Sequence, residues 1–109
     1  MPPLNSIAVE EIAIDSSGRL LVRPEAADSS FQFIYRAANG LRWEAGVSAF
    51  VAAEPERWEP QELLTHIVRT VREELGGVLH LTEQTRWHNV SEQQRIELRG
   101  AFEGEAGAV

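Results

Sequence analysis

The sequence predicts an α+β domain, and three observations carry that reading. Alternating apolar segments flank turn clusters throughout the first half. A run of apolar residues at helical spacing opens the second half, and a serine–glutamine pair three residues apart marks another helix near the end. Together they give an antiparallel β-meander of about five strands followed by helix, strand, helix. One domain spans 1–109, expected to be ordered over about 6–102 with a small, acidic, flexible tail over 103–109.

The first hairpin places Ile12 and Ile14 before Asp15-Ser16-Ser17-Gly18 and Leu20 and Val22 after it. A three-residue loop, Ser16 to Gly18, pairs Ile14 with Leu20 and Ile12 with Val22, so that all four share one face. Pro24, lacking a donor, ends the second strand or marks it as an edge. Phe31, Phe33 and Tyr35 alternate, Ala38-Asn39-Gly40 turns the chain, and Leu41, Trp43 and Ala45 alternate back. A loop ending in a left-handed Gly40 would pair Tyr35 with Trp43 and Phe33 with Ala45. Val47 to Ala52 forms the fifth strand.

Leu63, Leu64, Ile67, Val68, Val71 and Leu75 recur at helical spacing, with Pro60 in the first turn and Gly76-Gly77 as the stop. This defines a helix over 60–75. Its polar face carries Glu62 with His66 and Arg69 with Glu73, each four apart as on a solvated surface, so His66→Ala should change stability by no more than roughly 0.5 kcal/mol. Val78 to Thr82 follows as a strand. Ser91 and Gln94 then open a helix that packs through Ile96, Leu98, Ala101 and Phe102.

Composition sets the exclusions. Cysteine is absent, which removes thiolate catalysis, cysteine-based zinc sites and disulfides, and cytoplasm is the default location. No stretch approaches the roughly 20 apolar residues of a spanning helix, and Met-Pro-Pro opens without the basic and apolar regions of a signal peptide. Membrane association is not expected. The 17 acidic and 10 basic side chains give a net charge of -7, which opposes nucleic-acid binding. All ten basic residues are arginine, so Schiff-base lysine chemistry has no candidate.

No motif carries catalysis. His66, His80 and His88 lack metal-ligand spacing, no G-x-S-x-G or phosphate loop occurs, and the serines fall in turns or at a cap. No catalytic residue, metal or cofactor is therefore assigned. Every tryptophan follows an arginine, as Arg42-Trp43, Arg57-Trp58 and Arg86-Trp87, but side chains adjacent on a strand point to opposite faces and need not stack. If Phe33, Tyr35 and Trp43 meet the helices, alternation sends Leu21, Ile34 and Phe50 to the other face, among Arg36 and Arg42. An apolar patch rimmed by arginine suits self-association; the alternative is a bulge or a strongly curled sheet that buries these residues internally.

The run from Ile14 through Asp15-Ser16-Ser17-Gly18-Arg19-Leu20-Leu21-Val22-Arg23-Pro24 to Glu25 is joined by Ile34-Tyr35-Arg36-Ala37-Ala38, Trp43, Trp58 and Trp87-His88-Asn89-Val90. Together these resemble a family of small bacterial proteins encoded on integron gene cassettes. The resemblance spans most of the chain and implies an α+β domain from a mobile-element setting that assembles as a homo-oligomer. It offers no catalytic residue to carry over, and cassettes hold unrelated cargo, so chemistry does not follow from membership.

The expected function is a non-enzymatic binding or interaction module acting as a homo-oligomer, a dimer first. Leu21, Ile34, Arg36, Arg42 and Phe50 would form its interface. A second possibility is a small-molecule site or small enzyme between the sheet and the first helix, using Tyr35, Trp43 and His80. A third is an acidic inhibitor or immunity protein that blocks a basic partner, in keeping with the charge of -7.

Overall fold

The computed structural model describes residues 5–25, 31–34, 40–54 and 57–106. In chain order these form β1 (Asn5–Ile14), β2 (Leu20–Pro24), β3 (Leu41–Glu44), β4 (Ala49–Ala52), α1 (Pro60–Leu75), β5 (Gly77–His80), β6 (Arg86–His88) and α2 (Glu92–Ala106). The class is α+β as the sequence predicts, but the sheet is mixed rather than a meander. Its order is β3-β4-β2-β1-β5, with β6 also on β1.

β1 organises the sheet. It pairs with β2 antiparallel in the expected register, Ile12 opposite Val22 and Ile14 opposite Leu20, across a turn closed by Gly18 at φ 86°. Its other edge takes β5 over residues 5–8 and β6 over residues 11–13, both parallel. Between these two pairings β1 carries a bulge at Val9 to Glu11. The extra residue reverses the alternation, so Val9 before it and Ile12 and Ile14 after it all enter the core. The Thr85 hydroxyl bridges the gap, donating to the Val9 carbonyl at 2.7 Å in a buried position. That bond gives the Val9 carbonyl a side-chain donor beside the bulge.

The described part of the second predicted hairpin departs from the expected pairing. Residues 31–34 make a 3₁₀ turn instead of a strand, and β3 pairs with β4, Trp43 opposite Phe50. Ala45, expected opposite Phe33, lies in the turn over 45–48, and Tyr35 to Asn39 lie outside the described residues. Gly40 does adopt the left-handed conformation, at φ 81°, but its carbonyl accepts from the Ala53 N–H at the open end of the β3–β4 hairpin. The physical outcome is an aromatic cluster. Phe31, Trp43 and Phe50 have ring centres 4.9 to 5.2 Å apart in tilted and edge-on contacts, a geometry that favours aromatic pairs over plain burial.

Both helices match their signals. α1 spans the expected residues, with Pro60 in its first turn and Gly76 at φ 67° as its left-handed stop, and it buries Leu63, Leu64, Ile67, Val68 and Val71. At the start of α2 the backbone N–H of Gln94 donates to the Ser91 hydroxyl at 3.1 Å. The Ser91 N–H in turn donates to the Gln94 side chain at 3.0 Å. Leu98, Ala101 and Phe102 are buried, whereas Ile96 is 62% exposed and does not pack. α2 takes in Glu103 to Ala106, the first part of the expected tail, and 107–109 lie outside the described residues. The core joins one face of the sheet to α1 and α2, with Phe50, Ile12, Leu63, Leu64, Ile67 and Leu98 among its fully buried side chains.

Candidate functional site

A cleft of about 530 Å³ lies where the end of β5 meets α2, lined by Leu79, His80, Leu81, Thr82, Glu83, Arg99 and Phe102. Its geometry follows from local chemistry. After His80 the chain leaves the ladder and folds over 81–85, where the Thr85 hydroxyl accepts from the Thr82 N–H at 2.9 Å and the Thr82 hydroxyl from the Gln84 N–H at 3.1 Å. Because Thr85 is in turn fixed to β1, this short connection is tethered at its base. Leu79 and Phe102, both buried, give the cleft an apolar floor.

Polar groups converge above that floor. The His80 ring meets the Ser6 hydroxyl through Nδ1 at 3.2 Å, which orients the ring at the cleft wall. Arg99 reaches the cleft from α2 while its guanidinium lies over the Trp87 ring, 6.0 Å from its centre. Apolar floor, oriented imidazole, guanidinium and carboxylate are the ingredients of a small-molecule site. Among the described residues no three of His, Cys, Asp and Glu gather to hold a metal ion, and no helix is long and apolar enough to cross a membrane.

The structure separates the residues proposed from sequence to bind a ligand. Trp43 stands on β3 and His80 on β5, at opposite ends of the strand order, four strand spacings apart at about 4.8 Å each. Trp43 belongs to the aromatic cluster, His80 lines the cleft, and Tyr35 lies outside the described residues. Trp43 and His80 are thus not brought together in one site.

Two of the residues expected at an interface lie inside the domain instead. Ile34 and Phe50 are fully buried in the core, because the 3₁₀ turn removes Ile34 from strand alternation and the β3–β4 register puts Phe50 on the same face as Trp43. On the face away from the helices remain Leu21, half-buried, and Arg42, exposed and bound to Glu44 at 3.2 Å. Arg36 lies outside the described residues. The same face is closed by its own charges. Arg19, just before β2, reaches Glu44 at 3.3 Å and Arg23 of β2 donates to the Val47 carbonyl at 3.1 Å, beside β4, whose Ala49 and Val51 are fully buried.

The partners of the arginine–tryptophan pairs had no signal in the sequence. Each arginine preceding a tryptophan turns to a carboxylate: Arg42 to Glu44, Arg57 to Glu54, Arg86 to Glu10. Trp87 instead lies under Arg95 and Arg99 from α2, and Trp58 stacks on His66 with ring centres 4.8 Å apart. The spacing of Arg95 and Arg99 shows that they share a helix face, but only the packing of α2 on the sheet shows that this face meets Trp87.

No family model matches the chain, and neither does any curated protein. Among solved structures the chain is similar to the integron cassette protein Hfx_Cass5 from the mobile metagenome of the North West Arm Sewage Outfall. The two are 32% identical over 88% of this chain and 94% of that one, with a TM-score of 0.41.

Proposed function

We propose that this chain, which belongs to the integron cassette protein family, is a binding module that takes a small organic molecule in the cleft between β5 and α2. The observation that carries this reading is the cleft itself, with its apolar floor of Leu79 and Phe102 and its rim of His80, Thr82, Glu83 and Arg99. Screening small aromatic acids by amide chemical shifts tests it. Shifts gathered on residues 79–83, 99 and 102 are expected; shifts gathered elsewhere, or none at millimolar ligand, overturn it.

Self-association is a second reading, favoured by β5, an end strand whose outer edge pairs with no strand among the described residues. A second copy pairing there would extend the sheet. Sedimentation at tens of micromolar tests this, and a monomer ends it.

A further inference from the structure

We propose that Arg95 and Arg99 over Trp87 form an anion site at the mouth of the cleft, and that its ligand carries a phosphate-monoester group. The proposal rests on the cleft as the seat of the ligand and adds the group that anchors it there.

The two guanidinium carbons lie 5.3 and 6.0 Å from the centre of one indole ring. Four residues apart on α2, the two side chains share a face, where like charges repel. Arg19, Arg23, Arg42, Arg57 and Arg86 each hold a carboxylate. Arg95 and Arg99 hold none among the described residues, although the chain has 17 acidic side chains. Attraction to the indole face keeps the two cations together, and a guanidinium so held retains its N–H donors.

Charge and shape select the ligand. A phosphate monoester brings close to two negative charges and three acceptor oxygens near neutral pH, matching two forked cations, whereas a carboxylate brings one charge. Arg99 belongs to both the indole stack and the cleft wall. A phosphate seated on the pair therefore leaves the organic part of the ester beside Leu81 and Phe102.

Phenyl phosphate titrated into the full chain tests this, followed through the Trp87 indole N–H resonance, which Trp87→Phe identifies. A saturable shift at millimolar ligand is expected, weakened roughly tenfold or more in Arg95→Gln and in Arg99→Gln while circular dichroism stays unchanged. Phenol binding as tightly as phenyl phosphate would overturn the anion site and leave the cleft standing. Inorganic phosphate binding as tightly as the ester would support the anion site and overturn the cleft as the seat of the organic part. No shift, or Gln variants that bind like the parent, overturns the proposal.

Discussion

Asp15 grips Arg19 at two points: its Oδ1 accepts from the Arg19 backbone N–H at 2.9 Å and its Oδ2 from the side-chain Nε at 3.0 Å. The same Oδ1 also accepts from the Ser17 hydroxyl and backbone N–H, so one carboxylate closes the β1–β2 turn. The Ser17 hydroxyl bond, followed by that of the Arg19 N–H, lowers the Asp15 pKa from 3.8 to about 2. A group depressed on folding stabilises the protein above its unfolded pKa, and that contribution is lost as pH falls through the folded value. Asp15→Ala should therefore cost about 2 kcal/mol at neutral pH. In urea melts the gap between the two proteins should narrow as pH falls from 3.8 to about 2; a gap that stays constant contradicts the turn's role.

His66 makes a second test. Its place on the polar face of α1 predicts near-neutral replacement, but the ring stacks on Trp58 at an interplanar angle of 14° and ties the segment before the helix to its second turn. The smaller figure expected from the sequence is replaced accordingly. His66→Ala should lose about 1 kcal/mol, in the range of measured aromatic pairs, and His66→Phe should restore most of it. Equal melting temperatures for all three would show that the stack contributes nothing.

Thr85 tests the bulge. Its hydroxyl donates to the Val9 carbonyl and accepts from the Thr82 N–H, and the residue is buried. Thr85→Val keeps the shape and removes both bonds, depriving the Val9 carbonyl of that donor, so a loss of about 2 kcal/mol is expected. Hydrogen exchange should quicken at Thr82 and around Val9 in the same variant. Unchanged protection there would mean that the 81–85 connection is held by packing alone.

These sites show which links the sequence makes legible. The Asp15-to-Gly18 turn, the 60–75 helix and the Ser91–Gln94 cap are local devices, in which residues a few positions apart satisfy one another. The β1 bulge is less legible, because the extra residue that lets Val9 and Ile12 share the core shows only in the paired register of β1 and β2. The cleft depends on the pairing of β1 with β5, since it forms where β5 leaves β1 and α2 closes over. Alternation of Phe31 and Phe33 imitates a strand, yet the aromatic cluster is reached through a 3₁₀ turn. Tertiary aromatic packing overrides the period-two pattern there.

The last test decides between two faces of the sheet. Ile34 is fully buried in the core, so Ile34→Asp places a carboxylate among apolar side chains with no cation to pair it, and the domain should fail to fold. Leu21 is half-buried and opposite Ala13, on the strand face it shares with Arg23. There a carboxylate meets water and a cation, and Leu21→Asp should leave a cooperative melt with a loss of about 1 kcal/mol. Were Ile34 instead part of an interface between copies, Ile34→Asp would stay folded and sediment more slowly than the parent. Circular dichroism of the two variants beside sedimentation of the parent separates these outcomes, because a core position and an interface position respond oppositely to the same charge.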